Sequence, residues 1–130
     1  MLKNYKKENK KLPLIPIRGI GIFPNMLIHF DVGRERSVNA LEEAMLEDSN
    51  VFLTVQKEAN IDNPTIEDFN AVGVVCKIKQ LLKMPGENIR VLAEGINRAK
   101  ISKIVQEEPY FEASIDEYSY IAETQTDDQK

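Results

Sequence analysis

The stretch from Val72 to Met84 alternates apolar and polar residues and runs directly into Met84-Pro85-Gly86-Glu87. Val72, Val74, Cys76, Ile78, Leu82 and Met84 fall on one face of an extended chain, with Lys77, Lys79 and Lys83 on the other. Proline fixes φ and glycine accepts positive φ, so Pro85 and Gly86 suit the central positions of a type II turn. Ile89 to Glu94 then returns antiparallel. A hairpin of this length commits the chain to a mainly antiparallel β architecture.

The remaining segments follow the same period. Leu12 to Ile17 alternates around Pro13 and Pro16, which predicts an edge strand where a missing N–H does no harm. Met26, Ile28, Phe30 and Val32 share a face opposite His29 and Asp31, and Val51, Leu53 and Val55 align within Asn50 to Gln56. Gly95-Ile96-Asn97-Arg98 predicts a bend or bulge leading into Ala99 to Val105. Beyond Pro109, Tyr110 to Glu117 turns Phe111, Ala113 and Ile115 inward. One principal helix interrupts the strands. Ser37 is its expected N-cap, Val38, Leu41, Ala44 and Met45 form its apolar stripe, and Asp48-Ser49-Asn50 ends it. A weaker helical turn follows Pro64, with Thr65 able to cap Asp68. The fold class expected is mainly β (α+β): six or seven largely antiparallel strands in one sheet that curls into a partly closed barrel. Closure also removes exposed edges.

Charge and composition bound the partners. Lys+Arg 17 against Asp+Glu 21 gives a net −4, but residues 1–11 hold five lysines against Glu8 and carry +4, leaving −8 on the rest. So acidic a body repels phosphate backbones, and a disordered basic tail is expected over residues 1–11. Residues 121–130 read as a second disordered segment or the truncated start of a helical linker. Every apolar run stops well short of the roughly 18 residues of a membrane span, and no secretory signal follows the lysine-rich start. A lone cysteine, Cys76, fits a reducing compartment, so a cytoplasmic location is expected.

Catalytic chemistry is sparse. Arg18-Gly19-Ile20-Gly21 leads into Phe23-Pro24 rather than a helix, so it is a turn and not a phosphate-binding loop. The only histidine, His29, lies on the solvent side of a strand, away from any nucleophile. One cysteine and one histidine fall short of a zinc site. Glu42-Glu43, Glu107-Glu108 and Asp116-Glu117 are adjacent pairs whose members point in different directions, and they read as solvated charge. Cys76 reads as a buried, inert thiol.

Two groups of residues stand out instead. Phe23, Pro24 and Met26 sit at a loop-to-strand junction, and Leu82 and Met84 at the end of a hairpin arm, with Leu81-Leu82 placing a leucine on each face. They either cap the ends of the barrel or form an adaptable apolar binding surface. Arg34-Glu35-Arg36, ahead of the helix, is a compact mixed-charge patch suited to solubility or to a charged contact with a partner.

The order of several segments adds a resemblance. Leu12-Pro13-Leu14-Ile15-Pro16-Ile17-Arg18, Phe23-Pro24-Asn25-Met26, Val32-Gly33-Arg34-Glu35-Arg36-Ser37 and Ala40-Leu41-Glu42 open the series. Gln56-Lys57, Asp62-Asn63-Pro64-Thr65, Val72 to Ile78, Leu81 to Gly86 and Glu94 to Ala99 continue it. Together they resemble the start of the Lon family of ATP-dependent proteases over residues 12 to 120. His29 departs from the pattern, since the family usually has proline there.

The resemblance implies a PUA-like pseudo-barrel over residues 12–120, placed ahead of a helical segment, an ATPase module and a Ser/Lys peptidase. None of those is in this chain, so the resemblance assigns it no catalytic, metal or cofactor residue. ATP and Mg would belong to the missing ATPase domain. The implied role is recognition of misfolded and short-lived regulatory proteins, together with support for a hexamer, the fragment alone being monomer or dimer. The competing readings are a stand-alone protein-interaction module and an RNA-binding PUA-like module using Lys77, Lys79, Lys83 and Arg90.

Overall fold

The computed structural model describes residues 5–18, 23–57 and 66–120. The elements are β1 (Tyr5–Ile17), β2 (Leu27–Val32), α1 (Glu35–Leu46), β3 (Asn50–Val55), β4 (Val72–Met84), β5 (Asn88–Gln106) and β6 (Glu112–Tyr120). Short 3-10 turns occupy Ile66–Asp68 and Pro85–Glu87, and Gly86 has φ 79°, the positive value that the Pro-Gly turn demands.

The sheet order is β2-β5-β4-β3-β1-β6, and β5 also pairs with β6, so five strands close into a ring with β2 attached outside it. Every pairing is antiparallel except β1 with β3. A parallel neighbour needs a crossover, and α1 lies on the connection from β1 to β3. The mainly-β barrel expected from the alternation is therefore present, with six strands among the described residues.

Two apolar clusters fill it. Leu14, Phe52, Val75, Ala99, Ala113 and Ile115 come from all five ring strands and occupy the interior, with Phe69 and Phe111 in edge-to-face contact, centroids 4.9 Å apart. A second cluster lies on the outer side, where Ala40, Leu41 and Ala44 of α1 and Val32 of β2 cover Ile15, Val51, Leu53, Val74 and Cys76. Strand β3 is thus apolar on both faces: Val51 and Leu53 point to α1, Phe52 to the ring interior. Thr54, the next residue along β3, is buried as well, its hydroxyl donating to the Asn70 carbonyl at 2.7 Å.

Several expectations are corrected. Residues 5–11, expected in a disordered tail, form the first half of β1 and pair with β6 from Tyr5↔Tyr120 onward. Their lysines lie against an acidic strand: Lys10 pairs with Glu117 at 2.7 Å, and the Asn9 amide donates to Ser114 and to Asp116. Residues 1–4 and 121–130 lie outside the described residues. Nor is Leu12 to Ile17 an edge. The chain changes partner after Pro13, pairing with β6 up to that residue and with β3 from Leu14 to Ile17, Pro16 included. Each proline therefore sits in a stretch with only one registered neighbour, which spares the ladder its missing N–H.

Helix α1 starts earlier than its sequence suggests. Arg34 occupies the N-cap without a side-chain cap bond, and Ser37 is buried inside the first turn. Met45, placed on the apolar stripe, is exposed. The adjacent acids are not all solvated either, because Glu117 is buried and Glu108 accepts from Arg36.

Candidate functional site

The chemistry-bearing residues are dispersed. His29 is exposed on β2, and Cys76 is buried, where desolvation pushes its thiol up to about 12. No group of three His, Cys, Asp or Glu residues suited to a metal occurs among the described residues. The turn Gly19 to Ile22 lies outside them.

The apolar candidates fall in two places rather than one. The loop holding Phe23, Pro24 and Met26 is fixed beside β5: the Asn25 N–H donates to the Gly95 carbonyl at 2.8 Å and the Gly95 N–H to the Met26 carbonyl at 2.9 Å. Gly95 is needed there, since a Cβ would sit 2.4 Å from the Phe23 carbonyl oxygen. Phe23 itself is 55% exposed, with the Arg98 guanidinium 5.8 Å from its ring. These two residues border a groove of about 430 Å³ lined with Val55, Ala71 and Val72.

Leu82 and Met84 lie at the far end of the β4–β5 hairpin, with Leu82 opposite Arg90 and Met84 opposite Asn88. Arg90 and Gly95 are five residues apart on β5, roughly 17 Å along a strand, so the two groups do not merge.

A register shift between Ile78 and Gln80 changes which face these side chains use. Ile78 is opposite Ala93, both buried, whereas Gln80 and Leu82 are opposite Leu92 and Arg90 on the other face. Leu82 and Met84 therefore leave the inner face shared by Val74, Cys76 and Ile78. Leu82 is 56% exposed, and Leu81 is exposed too. On the same outward face of the β2–β5–β4 arm lies Leu27, 62% exposed, which alternation places opposite Ile28. Counting apolar residues on the nominally polar face of β2 would have found it. Val72, also exposed, lies beyond the last β3 pairing at Leu53↔Val74, a boundary that only the register reveals.

The charged candidates are turned inward. The Arg34 guanidinium donates to the Gln56 side chain at 2.7 Å, and that of Arg36 donates to Glu108 at 3.0 Å while lying 4.7 Å from the Phe111 ring centroid. They tie the start of α1 to β3 and to the approach of β6, and Glu35 stays exposed. Of the basic residues on the arm, Lys79 is 3.4 Å from Glu94, and Arg90 is 2.9 Å from Asp31. The Arg90 hydrogen bond holds the Asp31 carboxyl below its usual range.

Residues 11–130 match the family model of the ATP-dependent protease La (LON) substrate-binding domain. The chain belongs to that family. The Lon protease of Clostridium acetobutylicum is 54% identical over 112 residues, covering 86% of this chain and 14% of that protein. The Lon protease of Clostridioides difficile is 52% identical over 117 residues, covering 90% and 15%. The chain thus spans about one-seventh of the length of these relatives. Among solved structures, the N-terminal domain of Mycobacterium avium complex Lon protease superposes with a TM-score of 0.61 at 20% identity. That match covers 85% of this chain and 54% of the other. The Lon N-terminal domain protein from Xanthomonas campestris gives 0.60 at 14% identity, over 85% and 59%. At such identities the two structures speak to the fold alone, and the mainly-β pseudo-barrel expected from the sequence agrees with them. This is a Lon N-terminal substrate-binding domain.

Proposed function

We propose that the chain captures unfolded or misfolded protein segments for a Lon-type ATP-dependent serine protease in the cytoplasm, and helps a hexamer to assemble. The observation that carries the reading is the exposure of Phe23 in its loop and of Leu82, with Leu81 and Leu27, on the β2–β5–β4 arm. Large apolar groups held in water by hydrogen-bonded strands offer a surface to segments that only a non-native protein displays. ATP, Mg and the peptidase Ser/Lys pair belong, in this reading, to the parts of the relatives that this chain does not span.

A single patch of this size binds weakly, roughly at millimolar Kd, about 4 kcal/mol. Six copies on a ring would raise avidity by orders of magnitude without new contacts, and weak single sites would still release the segment to a motor.

The test is anisotropy of a labelled, reduced and carboxymethylated lactalbumin titrated with the chain. Leu82→Ser with Met84→Ser should weaken binding several-fold, and Phe23→Ser should do so separately, since the two groups lie apart. Unchanged binding by all three substitutions in a protein that keeps its circular dichroism would refute the apolar capture surface.

A further inference from the structure

We propose that the free edge of β4 from Gln80 to Met84 takes up an extended apolar segment of a non-native protein as an added β-strand. This rests on the capture reading above and specifies how the segment is held. Registered pairing of β4 with β3 ends at Lys77↔Asn50, and one further bond runs from the Ile78 N–H to the Ser49 carbonyl at 2.8 Å. Past that point β4 has, among the described residues, a registered neighbour on one side only, through Leu81↔Val91, Leu82↔Arg90 and Met84↔Asn88 of β5. In an antiparallel pair every second residue turns its N–H and C=O away from the partner, so this edge presents a row of backbone donors and acceptors to a newcomer.

The side chains of the edge suit such a guest. Leu81 and Leu82 project to opposite faces and are both exposed, so an added strand covers apolar surface above and below the sheet. Backbone pairing supplies affinity that does not depend on sequence, while alternate side chains supply a mild apolar preference. An unfolded chain has free backbone groups to offer, and a folded one has already paired its own.

Charge selects among occupants. Lys79 and Lys83 flank the two leucines. Two copies paired edge to edge with Leu81 against Leu81 would set Lys79 of each against Lys83 of the other, which like-charge repulsion opposes. An apolar segment with acidic residues at its ends meets the same lysines favourably.

The test uses the whole chain and a labelled eight-residue peptide of alternating valine and threonine with glutamate at each end. Two variants of it carry N-methyl groups on alternate amides, one set for each edge of the peptide. One set should weaken binding at least tenfold while the other leaves Kd within twofold, because only one edge can face β4. Lys83→Glu should weaken the parent peptide threefold or more, and lysine-ended peptide should recover the loss. If both N-methylated peptides bind like the parent, or the parent fails to bind a chain that still captures unfolded lactalbumin, edge pairing is overturned and capture by side chains stands. If neither peptide nor unfolded lactalbumin binds, the capture reading itself falls. A sedimenting dimer that Leu82→Lys dissociates would make the edge a self-association site and overturn the proposal.

Discussion

Replacing Lys10 with methionine should destabilise the domain far more than loss of a tail lysine could. Glu117 is 6% exposed, its Oε1 lying 2.7 Å from the Lys10 ammonium and its Oε2 accepting from the Asn97 amide at 2.7 Å. Coulomb attraction at that separation is about 6 kcal/mol at an effective dielectric of 20, most of it offset by desolvation. Removing one partner of a buried pair costs roughly 3–5 kcal/mol. Lys10 is 39% exposed, so water replaces part of what it gave. About 2 kcal/mol is the discounted expectation for Lys10→Met, measured by urea unfolding at pH 7. Glu117→Gln keeps an acceptor for Asn97 and should cost only about 1 kcal/mol. The double substitution should fall short of the sum by at least about 1 kcal/mol.

The pH dependence has a definite sign. The Glu117 hydrogen bond raises the Lys10 pKa above its ordinary 10.5. Its stabilisation is fully present below 10.5 and is lost as pH rises through the raised value. The gap between wild type and Lys10→Met should therefore close as pH rises past 10.5, a comparison that cancels the contribution of Cys76. A loss under about 0.5 kcal/mol, the range of ordinary surface substitutions, would refute the placement of the lysine-rich segment against β6.

Two other outcomes test the core and its thiol. Phe52→Ala empties the centre of the ring, where Phe52 is fully buried, and should cost about 3–5 kcal/mol by urea unfolding. Cys76, with its thiol pushed up to about 12, should resist a thiol-specific disulfide reagent at pH 8 until the protein unfolds, and the reaction followed at 412 nm should then go to completion.

What the sequence made legible follows from what is local. The Pro85-Gly86 turn, the alternation of β2 and the irregularity at Gly95 to Arg98 were all readable, and the last appears as a register shift opposite Val75 and Cys76. The strand formed by Lys6 to Lys11 was not. Its residues are all polar, and the carboxylates that match them lie about a hundred positions later on β6. The junctions of Phe23 and Leu82 marked them as unusual but left open whether they capped the barrel or faced water, and the structure exposes both. Their separation was not legible, because it depends on which β5 residue each one faces. Continuous alternation also put Leu82 on the inner face, and one register shift reversed it.

Ring closure also bears on how the chain can be made. The strand that opens the barrel, from Tyr5, is registered with the one that completes it, at Tyr120. A chain emerging from the ribosome N-terminus first must hold the lysine-bearing half of β1 without its partner until β6 has been synthesised. Contacts between residues so distant are slow to form, because loop-closure entropy is spent before they give anything back. Until then the Leu14 and Phe52 face of the nascent sheet stays open to water, and the chain displays the same kind of apolar surface that its closed ring later hides.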